Sequence, residues 1–387
     1  MAPLTAAERR ALTETRRDLH KHPELAYAEA RTAGVVEARL RAAGYALETG
    51  VAGTGVVARK PGKGPRTLLL RADMDALPVQ ERNEVDYASV HAGRMHACGH
   101  DGHVAALLTA AERLAAAELP GSLVFCFQPA EEGAGGAQRM IEAGVLEGVD
   151  AAFGVHLWSS LEVGLVGLAS GPVMAAVDRF DLVLRGRGGH GAMPQQATDP
   201  VVAACQLVTA LQTIVSRETD PLDSCVVTVG QLLAGDNFNV IPSEARLSGT
   251  CRSFTREAHA ALPERFERVV RGICAALGCE YSLDYLRTSG PTINEPGFTA
   301  FVREVAAEVL GPGSARVEGP GVRTMAGEDF SAFLERVPGC FAFVGARNEA
   351  RGIVHPHHSP RFDIDEEALG VAARLMEGVA RGYLAGA

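Results

Sequence analysis

Four short apolar runs, at 67–72, 122–127, 151–156 and 339–344, are separated by segments with helical spacing of apolar residues. None of the four alternates polar with apolar residues. A strand of this kind is buried on both faces, and strands joined through helices pair in parallel. The helical segments fall at 5–20, 32–43 (ended by Gly44), 101–117, 138–143 and 365–383, with a further apolar run at 55–58. The order predicts an α/β domain: a mostly parallel sheet with helices on both faces. The pattern changes near residue 178. The run 179–184 alternates polar and apolar residues, as a half-exposed antiparallel strand does. Strands at 224–229, 244–250 and 280–286 and long helices at 200–216 and 256–277 complete a β-α-β-β-α-β order, that of a ferredoxin-like α+β unit. The expected organisation is a discontinuous domain, 1–177 and 291–387, with a smaller domain inserted at 178–290. A length of 387 residues suits two domains.

Composition narrows the function classes. The formal net charge is −10, which disfavours nucleic-acid binding and electrostatic attachment to a membrane surface. The uncharged run 163–177 is too short to span a bilayer and is broken by Gly164, Gly167, Gly171 and Pro172. Met1-Ala-Pro-Leu-Thr5 lacks the basic and apolar regions of a signal peptide. Eight cysteines in a chain of this length are no disulfide framework. A cytoplasmic location with reduced thiols is the expectation.

The histidines are clustered. In His96-Ala-Cys98-Gly-His100-Asp101-Gly-His103, Cys98 and His100 stand two apart before a helix, and thiolate and imidazole are both good ligands for zinc and similar metals. Alone, this stretch reads more readily as a polar loop with chance histidines. The adjacent acids Glu131 and Glu132 follow the strand 122–127, at the end where α/β sheets carry their sites. Adjacent carboxylates repel unless a cation holds one of them. The division we expect is Glu132 on metal and Glu131 handling protons, against the plainer reading of a solvated acidic turn. His156 is read as the last residue of its strand, at the same sheet edge. Asp75 follows the strand 67–72 and could accept a hydrogen bond from a ligand histidine. His355, His357 and His358 form the second histidine cluster.

Taken in order, these stretches resemble the co-catalytic metal amidohydrolases that include hippurate hydrolase, N-acyl-amino-acid amidohydrolase, aminoacylase and the plant auxin-conjugate hydrolases. The resemblance runs through Arg17-Asp-Leu-His-Lys-His-Pro-Glu24, Leu70-Arg-Ala-Asp-Met-Asp-Ala-Leu-Pro78, His96 to His103 and Gln128-Pro-Ala-Glu-Glu-Gly133. It continues through Gly188-Gly-His-Gly-Ala-Met-Pro194, Asn239-Val-Ile-Pro242, Met325-Ala-Gly-Glu-Asp-Phe-Ser331 and His358-Ser-Pro-Arg-Phe362. It implies a metallopeptidase-like hydrolase with two divalent ions per subunit, zinc by default, with manganese, cobalt or nickel as alternatives. The implied ligands are Cys98, His100, Glu132, His156 and His358, with Cys98 shared between the ions. Glu131 would be the general base and Asp75 a catalytic support. His190 would bind the oxyanion of the tetrahedral intermediate, Asn239 would face substrate, and Glu328 would line the pocket. His358 is preferred over His357 because it immediately precedes Ser-Pro. Where relatives often carry a histidine after Pro194, this chain has Gln195 and Gln196.

The implied substrate is a small N-acyl amino acid of the hippurate or N-acetyl type, and the implied assembly is a homodimer, or something larger, through the inserted lid or dimerisation domain. The alternatives are a metallo-carboxypeptidase or dipeptidase, an N-acetyl-diaminopimelate deacetylase, and, in another class, a hydrolase with Cys98 as nucleophile.

Overall fold

A computed structural model describes residues 2–319 and 321–386. Helix α1 (Ala6–Lys21) begins at Thr5, whose hydroxyl accepts from the Glu8 N–H while the Glu8 carboxylate accepts from the Thr5 N–H. This reciprocal cap satisfies two amides that the first turn leaves open. There follow α2 (Ala30–Ala42), β1 (Ala46–Val51), β2 (Gly55–Lys60), β3 (Thr67–Asp73), α3 (His100–Ala115), β4 (Ser122–Gln128), α4 (Gly136–Glu142), β5 (Ala151–Glu162), β6 (Val166–Gly167) and β7 (Gly171–Met174).

The next stretch builds a separate compact unit. It comprises β8 (Ala176–Arg185), β9 (Gly189–His190), α5 (Pro200–Thr213), β10 (Cys225–Ala234), β11 (Val240–Ile241), β12 (Glu244–Ser253), α6 (Arg256–Leu277) and β13 (Glu280–Ser289). Its antiparallel sheet has the order β10-β12-β8-β13. Burial alternates along β8, so one face is covered, by α5 and α6. Phe180, Leu182 and Leu184 meet Leu207, Leu211, Leu262 and Phe266 there. Asp199 caps α5 by accepting from the Val201 and Val202 N–H groups, with Pro200 at the first helical position, where a missing amide costs nothing.

The chain returns through β14 (Thr292–Asn294), α7 (Pro296–Leu310), β15 (Ala315–Arg316), α8 (Ser331–Leu334), β16 (Gly339–Arg347) and α9 (Glu367–Ala385). The large sheet has the order β1-β2-β4-β3-β5-β16-β6-β15. Its centre, β4-β3-β5-β16, is parallel, and those strands are buried almost end to end. β2 is antiparallel to both β1 and β4, and β6 is antiparallel to β16, so the margins are mixed. The first compact unit comprises Met1–Val173, Thr292–Thr324 and Asp329–Ala387, and the second Met174–Pro291 and Met325–Glu328. The short piece Met325–Glu328 belongs with the second unit because the Ala175 N–H donates to the Ala326 carbonyl at 2.9 Å and Gly327 packs against Val177. No helix among the described residues is long and apolar enough to cross a membrane.

One buried ion pair ties α1 to the start of α3. Arg16 is fully buried, with Nε 2.9 Å from Asp101 Oδ2 and Nη2 2.8 Å from Asp363 Oδ1. His20 Nδ1 lies 2.7 Å from the same Asp101 oxygen. Burial raises the Asp101 carboxyl, but Arg16 and His20 outweigh it and hold the group well below the usual carboxylate range. Removing one member of such a pair strands the other. Arg16→Met should lose about 3–5 kcal/mol in urea unfolding at neutral pH. A loss under about 1 kcal/mol, the level of an exposed pair, would contradict a clamping role.

Candidate metal centre

The carboxyl ends of β3 and β4 and the middle of β5 bring the predicted side chains of the first unit together. Gly99 precedes α3 with φ +92°, a left-handed conformation that costs glycine little, and it sets Cys98 and His100 on either side of the turn. The donor atoms of Cys98, His100 and His156 lie within 4.8 Å of one another, as do those of Cys98, Glu132 and His358 and those of His100, Glu131 and Glu132. The first two groups share Cys98. Its sulfur is 3.5 Å from His156 Nε2, and His358 Nε2 is 3.4 Å from Glu132 Oε1. His156 is not the end of its strand. β5 continues to Glu162 because β16 runs alongside as far as Trp158 and beyond, whereas the β3 ladder stops at Gly154. His156 therefore emerges two residues past the last β3 rung.

Hydrogen bonds orient the buried imidazoles of this cluster. His100 Nδ1 donates to the Asp75 carbonyl at 2.8 Å, which leaves Nε2 buried with no hydrogen-bond partner among the described residues. Glu132 Oε1 is buried and, although His358 Nε2 lies 3.4 Å away, has no partner in hydrogen-bond geometry among the described residues. His156 Nδ1 donates to the Leu157 carbonyl at 2.9 Å, turning Nε2 toward Cys98. His358 holds φ +65° and donates its N–H to the Ala97 carbonyl at 2.8 Å. Its neighbour His357 is fully engaged: Nε2 donates to the Leu157 carbonyl and Nδ1 accepts from the Ser159 hydroxyl, each at 2.9 Å. His103 is engaged too, with Nδ1 on Asp73 Oδ1 at 2.6 Å and Nε2 accepting from the Leu157 N–H at 2.9 Å.

The Glu131–Glu132 turn is fixed from both sides. The two Asp75 oxygens accept from the Glu131 and Glu132 N–H groups, each at 2.9 Å. The contact expected between the Asp75 carboxylate and a ligand histidine is present, with Asp75 Oδ1 3.4 Å from His100 Nδ1, but the shorter bond to that nitrogen is made by the main-chain carbonyl, and the carboxylate also shapes the turn. Ala130 holds φ +57°, and its N–H donates to Glu29 Oε1 at 2.9 Å. A Cβ on Gly136 would lie 1.7 Å from the Pro129 carbonyl oxygen, so only glycine fits beneath this loop.

Residues 69–382 match the family described as Peptidase family M20/M25/M40. The chain belongs to this family. It is 41% identical over 374 residues to N-acetylcysteine deacetylase of Bacillus subtilis, covering 95% of this chain and 96% of that protein. It is 41% identical over 375 residues to IAA-amino acid hydrolase ILR1-like 4 of Arabidopsis thaliana (95% and 84%). It is 39% identical over 369 residues to thermostable carboxypeptidase 2 of Saccharolobus solfataricus (94% and 92%). The crystal structure of the Bacillus subtilis YXEP protein, described as a dinuclear metal-binding peptidase of the M20 family, superposes with a TM-score of 0.86 at 36% identity, covering 98% of this chain and 99% of that one. As an M20 member the chain is a hydrolase of amide bonds.

Electrostatics within this M20 site favour bound cations over a free thiolate. Burial pushes the Cys98 thiol well above its usual range, and Glu132, Glu131 and Asp73 push it further. A nucleophilic cysteine needs electropositive surroundings, the reverse of these. Burial lowers His100, but Asp73, Asp75 and Glu132 outweigh it and raise the group to about 10. Burial, reinforced by His103 and His357, holds His156 well below its usual value. Acidic groups thus compete for protons at one side of the cluster while His156 stays neutral and able to ligate. Divalent ions would replace those protons.

His190 and Asn239 are described with the second unit. They meet on the β9–β11 ribbon, where His190 pairs with Val240 and the Gly191 N–H donates to the Asn239 carbonyl at 2.8 Å. His190 is exposed, and its Nδ1 accepts from the Ala192 N–H at 3.0 Å. Glu328 is buried in the short Met325–Glu328 piece. Sequence reasoning assigned no role to Arg71, Glu29 or Asp329, and marked Asp73 only as an acid just past an apolar strand. Arg71 carried a signal, as a charged residue inside the apolar run 67–72.

Proposed function

We propose that this M20 hydrolase cleaves the amide bond of N-acyl amino acids. In this reading two divalent ions are held by Cys98, His100, Glu132, His156 and His358, and Glu131 is the general base. The observation that carries it is the pair of donor groups overlapping at Cys98, with His100 Nε2 and Glu132 Oε1 buried and, among the described residues, near other donor-set atoms but in hydrogen-bond geometry with none. Buried polar atoms are rarely left so unless an ion or water meets them. Mixed thiolate, imidazole and carboxylate donors suit zinc, with manganese, cobalt and nickel as alternatives.

Bound there, such ions supply Lewis acidity toward a carbonyl oxygen and acidify a water. The chain's own residues do the rest. Glu131 takes a proton from the attacking water and returns it to the leaving amine nitrogen. Asp75 keeps Glu131 and Glu132 in register through their amide N–H groups, so that one carboxylate ligates while the other handles protons. His190 and Asn239 enter as substrate-binding groups of the second unit, His190 as an oxyanion donor, and Glu328 as a pocket residue. The deacetylase and IAA-amino acid hydrolase relatives support an N-acyl amino acid as substrate, and the carboxypeptidase relative supports peptide cleavage as a second reading. Eight free thiols suit a reducing, cytoplasmic setting.

The second unit also supports a homodimer. β10 is an edge strand with Leu232 and Leu233 exposed, and an open edge of this kind is a template for pairing with another copy. Sedimentation velocity should find a dimer, and a monomer at micromolar concentration removes this part of the reading. For the reaction, metal-loaded enzyme is assayed on N-acetyl, N-benzoyl and N-indoleacetyl amino acids and on dipeptides. N-acyl amino acids should be hydrolysed, chelation should abolish turnover, and Glu131→Gln should keep its metal while kcat falls about 10²–10⁴-fold. Turnover that survives chelation would point to Cys98 as nucleophile, and turnover of dipeptides alone to a peptidase.

A further inference from the structure

Behind Glu131 lies a buried polar cluster for which neither the metal donors nor the substrate groups account. Arg71, in the middle of β3, is 1% exposed. Its Nη1 donates to Asp73 Oδ2 at 2.6 Å, its Nε to Gln128 Oε1 at 2.8 Å and its Nη2 to Asp329 Oδ1 at 2.9 Å. Asp329 is 8% exposed and heavily satisfied. Besides Arg71, its carboxylate accepts from Gln128 Nε2 at 2.9 Å and from the Ala137 N–H at 2.9 Å. Its carbonyl accepts from the Ala332 N–H at 2.9 Å, at the start of α8. The residue is therefore held by β3, β4, α4 and α8 together. What it presents outward is its main-chain N–H, which donates to Glu131 Oε1 at 3.3 Å.

We propose that Asp329 is a positioning residue for the Glu131 carboxylate: its side chain, locked by Arg71, Gln128 and the Ala137 N–H, aims its main-chain N–H at Oε1. The inference rests on Glu131 being the general base. A base must meet its proton within hydrogen-bond reach, and a glutamate side chain on a loop has several rotamers that do not. An N–H on a rigid framework selects one rotamer of the Glu131 side chain. Burying four polar side chains to fix one amide is costly unless every member is satisfied, and this cluster joins donor to acceptor throughout. Burial of the Arg71 guanidinium also requires its carboxylate partners, so the cluster stands or falls as a unit.

The test is a double-mutant cycle on the metal-loaded enzyme. Asp329→Asn keeps the shape of the side chain but removes its charge and turns one of its two acceptor oxygens into a donor, so that either Arg71 Nη2 or the Ala137 N–H loses its partner. It should lower kcat about tenfold or more, the scale of an ångström-size misplacement, while KM stays within about twofold and metal content is unchanged. Introduced into Glu131→Gln, the same substitution should cost nothing further, because residues acting through one group are not additive. A loss of equal size in both backgrounds, or none in either, overturns the proposal. If Glu131→Gln itself keeps the parent rate, the general-base reading fails instead, and the two failures are told apart by that single variant. Should Asp329→Asn unfold, Gln128→Met removes one donor to Asp329 and the acceptor of Arg71 Nε but keeps the Arg71–Asp329 pair. Its smaller kcat loss must likewise vanish in the Glu131→Gln background, and persistence there overturns the proposal.

Discussion

The arrangement depends on a charge imbalance that the fold builds at one end of its parallel strands. Asp73, Asp75, Glu131, Glu132, Asp329 and the Cys98 sulfur are gathered there, and the buried Arg71 guanidinium pairs with two of them, Asp73 and Asp329. Asp73 stays far below the usual carboxylate range even though burial raises it, because Arg71, His100 and His103 pull it down. Cys98 has no such help and is driven the other way. A group of this composition is stable without its ions only by holding protons, so divalent cations are the natural counterweight. The same surroundings make the thiol a poor nucleophile.

Most of the architecture was legible because burial leaves a plain trace in the residues. The uninterrupted apolar runs identify the parallel centre of the large sheet, and the alternation at 179–184 marks the antiparallel unit. β1 left no such trace: its residues are exposed or half-buried, and Ala-Leu-Glu-Thr-Gly-Val has no period to read. The mixed margins of the large sheet follow from β2 pairing across β4, a long-range choice invisible in either strand alone. The full length of β5 was missed because its continuation depends on β16 lying beside it.

The donor side chains were legible as residue types in known stretches, but their orientation was not. His357 and His358 are adjacent and chemically identical. They differ in that both ring nitrogens of His357 are engaged while His358 adopts a left-handed backbone that turns it to Glu132. Asp75 was legible as an acid beside a ligand histidine, and its carboxylate does lie 3.4 Å from His100 Nδ1, but the two amides it also holds left no sequence trace. Glu29 and Asp329 act through Ala130 and Glu131, about a hundred and two hundred residues away in sequence. Neither has a local pattern, because each contact exists only once the strands are assembled.

The central claim is that Cys98 joins two metal sites. Anomalous diffraction from crystals of the zinc-loaded protein tests it most directly. Two peaks should appear about 3.5–4 Å apart, each within about 2.3 Å of the Cys98 sulfur, one beside His100 or His156 and the other beside Glu132 or His358. A single peak, or two peaks that do not share Cys98, would contradict the account.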